Sequence, residues 1–567
     1  MNLKMKMLSA VLASIFISTA FIGCGAGSGK ESSAKSNVNL DDPAWKEAVT
    51  TPYGKYPETV KYTFGKITSA YQNLKGTEYE KDDDSNSAWT RYMKAKLNVV
   101  NENKFVANSG DDYDQKVSMA IVSHDIPDIM TVPDYETLKQ LYENDMIEDL
   151  SEAYKNCASD RIKEIYDSYD GRCLDTAKFD GKLMALPTTE ISHGPGILWL
   201  RKDWMDKLGL KEPKTMDDVE NILKNFIDKD PGQNGAGNTV GLVVGSEVAG
   251  VSGGPYMVNN IFALYGAYPK QWIDDGNGKA VYGSIQPGMK KGLEKLSQMY
   301  SKGLIDKQMA VRTADDCKAL LTSGKSGAVL DNWWGSWTVM DTLKLDPNAE
   351  WVPYCCPVGD DGAVTMFTGN PNSSYIVVRK GYEHPEVLMK LADVQFDYSR
   401  YQDKDEKSTK EITDYKNLNI DTGILNMNID YFDAMYHDNR MENALETGDT
   451  SKLSVYEMSN YNSYKNYLDS VKNGTEINPA EWANYNAMKC ANMVKDLKIK
   501  EVNPIFFGNT QSMSLKWPTL DKMEQEMYLK IITGEESVDY FDKFVESWKQ
   551  TGGDQITEEV NAEISKK

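Results

Sequence analysis

The stretch that most constrains this chain is Phe179 to Glu190, FDGKLMALPTTE. Asp180-Gly181 is a turn signal, Leu183 to Leu186 is a short apolar run, and Pro187 ends it, because proline cannot donate to a sheet ladder. A buried strand therefore stops at Pro187 and presents Thr188, Thr189 and Glu190 at its tip. Taken alone, this delivers a carboxylate to a surface or a cleft, and most such carboxylates are merely solvated. The chain ahead of it alternates strands and helices. Val60 to Ile67 reads as a strand, Ser87 to Lys96 as a helix, Phe105-Val106 as extended, Asp112 to Val122 as a helix and Pro127 to Met130 as the next strand. This alternation predicts an α/β layer, and open α/β sheets gather ligands at their strand ends. Tyr71 follows the first strand, and Asp134 and Tyr135 follow the last. They are candidate ligand contacts, with plain loop surface as the competing reading.

A second concentration lies in SGKSGAVLDNWWGSW, Ser323 to Trp337. Ala328 to Leu330 predicts a short strand whose end presents Asp331, Asn332, Trp333, Trp334 and, a turn later, Trp337. Indoles are costly to leave in water. Their flat apolar faces suit stacking on a sugar ring while carboxylates and amides take its hydroxyls. At least one of the three is expected to fill the core instead. Tyr256 joins these residues as a candidate. In Asp228 to Leu242, DKDPGQNGAGNTVGL, Asp230, Asn234, Gly235 and Asn238 fall at positions one, five, six and nine of an EF-hand-like loop. Gly232 and Gly241 stand where such a loop needs acids. Calcium at Asp230, Asn234 and Asn238 is thus a candidate set against a Gly-rich turn, and no other cofactor is expected.

Lys4 and Lys6 precede an apolar run, Met7 to Ile22, that is shorter than the roughly 20 residues of a spanning helix. The run ends in Phe21-Ile22-Gly23-Cys24. Basic residues, a short apolar core and a small residue at the cut predict an export signal. Cys24 after Gly23 resembles a lipobox, with Phe21 where Leu is usual, which implies cleavage at residue 23 and diacylation of Cys24. The Gly- and Ser-rich segment that follows lacks the apolar surface to offset its chain entropy and reads as a tether. With 85 acidic against 63 basic residues, and a net charge of −22, attraction to nucleic acid or anionic lipid is disfavoured. The six cysteines beyond Cys24 form no paired framework; Cys157 and Cys173 are the pair open to a disulfide.

FDGKLMALP resembles a segment of the extracellular solute-binding proteins of ABC importers, family 1, the lipoprotein-type, sugar-binding class. The resemblance continues through ILWLRKDWMD (Ile197 to Asp206), the tryptophan segment and EMYLKIITGEESVDYFDKFVESWKQTGGDQITEEVN (Glu526 to Asn561). It implies an α/β, two-lobed periplasmic-binding-protein-like fold (type II) with hinge crossings and a helical C-terminal region. The implied organisation is a signal peptide at 1–23, a lipidated flexible tether at 24–58, and lobe 1 at 59–187, completed by about 374–400. Lobe 2 spans 188–370, and 401–567 is a mainly helical region shared between the lobes. TGNPNS, Thr368 to Ser373, resembles the second crossing.

The function implied is a monomeric, lipid-anchored receptor on the extracellular face of the cell membrane. It would bind a carbohydrate, an oligosaccharide foremost, between its lobes and deliver it to ABC permease transmembrane subunits. Glu190, Asp331, Asn332, Trp333, Trp334 and Trp337 would contact the solute, with Tyr71, Asp134, Tyr135 and Tyr256. No catalytic residue is expected: the four histidines fall in no HExxH, and no GxSxG or P-loop is present. The alternatives are a secreted glycoside hydrolase built from two carboxylates and a glycan-binding surface adhesin.

Overall fold

Two strands, Ile129–Val132 and Tyr375–Val378, are buried at every position, the mark of strands covered on both faces. They lie at the centre of the first of two sheets in the computed structural model, which describes residues 41–355, 357–359, 361–418, 420, 423–434 and 439–565. Cys24 and the signal segment lie outside the described residues.

The first sheet is ordered Val99–Ala107, Val60–Ile67, Ile129–Val132, Tyr375–Val378, Leu186–Pro187. Its first three strands are parallel, and Tyr375–Val378 runs antiparallel to its neighbours. Val60–Ile67 pairs with Val99–Ala107 through a bulge at Phe64/Gly65. There Gly65 makes room for the Phe105 ring, whose Cζ lies 2.3 Å from where a Cβ would stand. Ala88–Leu97 starts on a capping box, with the Ser87 hydroxyl accepting from Thr90 N and the Thr90 hydroxyl from Ser87 N.

The second sheet is ordered Trp351–Tyr354, Ile197–Arg201, Ser326–Asp331, Val240–Val243. Helices Met216–Lys229, Pro287–Ser301 and Gln511–Thr533 bury their apolar stripes in the core beside it. Each sheet has its own hydrophobic core, so the chain forms two lobes.

The lobes are joined where crossing segments lie side by side. Thr188 N donates to Ser374 O (2.9 Å), Glu190 N to Pro371 O (2.9 Å) and Thr189 N to Asn428 O (2.8 Å). Beside them Val364–Phe367 pairs in parallel with Ile499–Val502, and Thr368 N donates to Val502 O (3.1 Å). The stretch from Tyr398 to Asn486, rich in Tyr and Asn, divides: Ile424, Leu425, Ile429 and Tyr431 enter the lobe 1 core, whereas Trp482 and Ala483 pack with Trp199 and Trp351 of lobe 2.

The structure departs from expectation in three places. The chain is folded well before residue 59. Asp42 caps a helix at Pro43–Thr50, and the following turn is tied to lobe 1 by Tyr56 Oη donating to Glu386 Oε1 (2.7 Å) and Lys390 Nζ to Thr51 O (2.7 Å). Trp45 stacks on His384 at 5.8 Å. Lys380 to Leu391 reads in sequence as a helix, yet the helix starts only at Glu386, because Pro385 disfavours helical backbone at the residue before it. Cys157 and Cys173 are separate buried thiols; the Cys157 thiol donates to Val49 O (3.2 Å), and Cys173 lies against Pro371 O. No helix among the described residues is long and apolar enough to cross a membrane.

Candidate functional site

Strand direction determines which residues meet. In lobe 1 the ends of Val60–Ile67 and Ile129–Val132 lie on the same edge as Pro187, since Tyr375 pairs with both Val132 and Pro187. In lobe 2, Asp331 pairs with Ile197 and Tyr354 with Leu198, so two strand ends and one strand start share an edge. The crossing from Pro187 to Ile197 therefore runs from one sheet edge to the other, and Glu190 and His193 lie on it.

Around them is a cavity of about 120 Å³ whose lining includes Arg172, Glu190, His193, Ser252, Asn370 and Phe432. The Glu190 backbone is fixed on both sides, its N–H on Pro371 O and its carbonyl accepting from Tyr169 Oη (3.1 Å). Its carboxylate has no hydrogen-bond or ion-pair partner among the described residues. His193 Nδ1 is enclosed and equally without a partner. Burial holds the His193 pKa below its usual value against the opposing pull of Glu190, so the imidazole is neutral at pH 7. The Trp334 ring stands edge-on to His193 at 5.0 Å and to Trp333 at 5.0 Å. The turn between is fixed by Gly194 N donating to Ser192 Oγ (3.0 Å), with Gly194 at φ 68°.

The other candidates separate. Trp333 is half-buried against the core around Trp199 and Trp351, its Nε1 enclosed without a partner. Trp337 is exposed on the short helix Gly335–Val339 and does not line the cavity. Asp331 is only 2% exposed and closes its own turn: Oδ1 accepts from Asn332 N (2.7 Å) and Oδ2 from Thr338 Oγ1 (2.6 Å). Burial pushes its pKa up to about 7. Both oxygens of this residue, expected at the solute, are thus engaged within the turn. Asn332 is buried beside it, its carbonyl accepting from Trp199 Nε1 (3.1 Å) and its Nδ2 enclosed without a partner.

Tyr256, also expected at the ligand, locks a loop instead. It sits at φ 66° with its N–H on Leu330 O (3.1 Å), and its ring enters the same core. In lobe 1, Asp134 caps Tyr135–Glu143 by accepting from Thr137 N (2.8 Å), and Tyr135 stacks on Phe179 at 5.8 Å. Tyr71 packs against the small cluster of Leu74, Tyr79 and Tyr415. All three lie after strand ends on the crossing edge, and none lines the cavity.

A larger cavity, about 290 Å³, is lined by loops around Asn260, Leu264, Pro357, Asp361, Thr365 and Lys500. The loop holding Pro357 leaves the same lobe 2 edge, after Tyr354.

The Asp230 loop does not assemble an oxygen cage. Asp230 Oδ1 accepts from Asn234 N (3.0 Å) and Thr239 Oγ1 (2.5 Å), and Oδ2 from Gly235 N (2.8 Å). Asn234 Nδ2 donates to Gly324 O (2.9 Å) and Asn238 Nδ2 to Asn234 O (2.9 Å). One carboxylate already holding three donors does not fit an ion that takes six to eight oxygens. Among the described residues no group of three or more His, Cys, Asp or Glu is placed to hold a metal.

Arg172, His193, Ser252, Asn370 and Phe432 were not foreseen as site residues. His193 and Asn370 carry usable signals, His193 lying three positions after Glu190 on the first crossing and Asn370 lying within Thr368 to Ser373, the segment that resembles the second.

The sequence profile of the family described as "Bacterial extracellular solute-binding protein" matches residues 68–397. Lipoprotein LipO of Bacillus subtilis (strain 168) is 23% identical over 369 residues, 64% of this chain and 67% of LipO. The polygalacturonan/rhamnogalacturonan-binding protein YtcQ of the same organism is 21% identical over 474 residues, 79% of this chain and 82% of YtcQ. Among solved structures, the Streptococcus pneumoniae ABC-transporter substrate binding protein FusA in complex with kestose has a similar fold. Its TM-score is 0.52 at 17% identity, over 89% of this chain and 99% of FusA.

Proposed function

The chain belongs to the bacterial extracellular solute-binding proteins, and from that premise we propose that it binds an oligosaccharide in the cleft at the crossings and delivers it to an ABC permease. A lipid on Cys24 would hold it at the outer face of the cell membrane, as the name of LipO supports for that relative. The observation that carries the reading is the pairing of Glu190 and His193, two polar side chains on one cavity without partners among the described residues, beside the Trp334 indole. A carboxylate and a neutral imidazole exchange hydrogen bonds with sugar hydroxyls, and an indole face covers the ring's C–H surface. The names of YtcQ and FusA, which concern a polygalacturonan and an ABC transporter, agree in class.

The chemistry is binding without a covalent step. Of the side chains lining the smaller cavity only Glu190 is a carboxylate, whereas glycoside hydrolysis uses two flanking the scissile bond. Three chain segments meeting at one hinge favour a protein that closes on its ligand and releases it over an adhesin that only holds it.

The test is a thermal-shift screen of the mature chain, carrying Cys24→Ser, against oligosaccharides and short peptides, with each stabilising compound recovered and analysed. An oligosaccharide that raises the melting temperature and returns intact supports the reading, because a ligand that binds only the folded state stabilises it. Trp334→Ala should then lower affinity by at least tenfold, the scale of one aromatic contact, without unfolding the protein. Cleaved product, or stabilisation by peptides alone, refutes the proposal.

A further inference from the structure

We propose that the solute is acidic, a uronate-containing oligosaccharide whose carboxylate is taken by Arg172. This rests on reading the smaller cavity as the solute site. The chain has eight arginines, and seven face carboxylates. Arg91 meets Asp82, Arg161 Asp397, Arg201 Asp203, Arg312 Asp306, Arg379 Asp128, Arg400 Asp430 and Arg440 Glu457. Arg172 has no carboxylate within ion-pair distance among the described residues, and it lines the cavity. In a chain with 85 acidic residues, an arginine without a counter-charge marks a place where the counter-charge arrives from outside.

The guanidinium is held by neutral groups. Nε donates to Tyr169 O (3.1 Å), Nη1 donates to Asn503 Oδ1 (2.7 Å), and the central carbon lies 5.1 Å from the Phe432 ring centre. Three segments distant in sequence thus fix its plane and leave Nη2 without an acceptor among the described residues. A planar, pre-positioned fork suits a carboxylate, which it can bind through two parallel hydrogen bonds. Glu190 shares the cavity yet forms no ion pair with Arg172, so the two groups are spaced for different parts of one ligand. The cation takes a carboxylate, and Glu190 and the neutral His193 take ring hydroxyls. A neutral sugar would leave the guanidinium without a counter-charge in a half-enclosed site, a poorer match.

The test is calorimetric titration of the mature protein with trimers of galacturonate, glucuronate, mannuronate and guluronate. Each is paired with its carboxyl-reduced counterpart, and neutral fructo-, xylo- and malto-oligosaccharides complete the panel. At least one uronate trimer is expected to bind, and its reduced twin to bind about 10- to 100-fold more weakly, the scale of one charge-assisted contact. Arg172→Gln should abolish that difference by weakening the uronate alone, and Arg172→Lys should restore part of it. Unchanged melting of both unliganded variants separates recognition from folding. If Arg172→Gln melts early, the wild-type comparison of each trimer with its reduced twin decides alone. Binding of a neutral oligosaccharide but of no uronate, or of a uronate indifferent to carboxyl reduction or to Arg172→Gln, overturns this inference and leaves the oligosaccharide reading intact. Failure of every sugar to bind overturns both.

Discussion

Replacing Asp331 by Asn isolates one buried charge at the turn that carries Trp333 and Trp334. The carboxyl accepts two hydrogen bonds and faces no cation among the described residues. Burial lifts its pKa from the ordinary 3.8 to about 7, with the bonds from Thr338 and Asn332 pulling the other way. The unfolded chain titrates the same group near its ordinary value. Between those two pH values the folded protein keeps a proton that the unfolded chain has lost, so stability falls as pH rises from about 4 to about 7 and is level above. The interval corresponds to about 4 kcal/mol, an order-of-magnitude figure. Asparagine preserves the shape and cannot ionise. It exchanges one acceptor for a donor, a pH-independent offset of about 1 kcal/mol. Urea unfolding of both proteins at pH 4.5, 6, 7 and 8 should show their free energies diverging by a few kcal/mol toward pH 8, with the Asn variant losing less stability as pH rises. Curves that run parallel would mean the native carboxyl is already ionised, and the dominance of desolvation at this site would be refuted.

Three further outcomes are expected. Gly335→Ala places a Cβ 2.2 Å from Nε1 of the fully buried Trp199, and overpacking against a rigid indole should cost about 1–3 kcal/mol in urea unfolding. Tyr56→Phe leaves buried Glu386 without its Oη donor, and should cost about 1–3 kcal/mol and speed limited proteolysis between residues 43 and 58. Adding calcium or a chelator should leave the melting temperature unchanged, because the Asp230 loop is closed by its own donors; a calcium-dependent rise of several degrees would contradict that.

The elements legible in the sequence were those set by local pattern. Val60–Ile67 alternates over its first five positions, Val60 to Phe64, and Ser87 marks a helix start. Pro187 marked a strand end in the same way, with Thr188, Thr189 and the charged Glu190 following it. Asp331 was misread because a carboxylate at a strand end looks the same in sequence whether it faces a cleft or folds back on its own turn. The Asp230 loop stayed open in the sequence between a calcium loop and a Gly-rich turn for a related cause: oxygens at EF-hand spacing do not reveal that Asn234 and Asn238 turn their amide N–H groups toward protein carbonyls. Arg172 and Phe432 were beyond reach, because what makes them a site is the meeting of segments 260 residues apart.

That meeting also governs how binding and motion are coupled. Arg172 extends from lobe 1, and its Nη1 bond reaches Asn503 just past the strand Ile499–Val502. Glu190 and His193 lie on the first crossing, Asn370 on the second, and Trp334 rises from lobe 2. A ligand engaging all four touches both lobes and two crossings at once. Its free energy therefore differs between relative lobe positions, which is the condition for a ligand to shift a hinge equilibrium. Contacts confined to one lobe would be equal in open and closed forms, and would bind without closing. On the proposed reading, polar groups on the crossings that lack partners among the described residues, and an indole on a lobe, would let the same interactions both recognise the solute and report its arrival. On this argument, substitution of Glu190 weakens binding and closure together, whereas substitution of Trp337, exposed outside the cavity, changes neither.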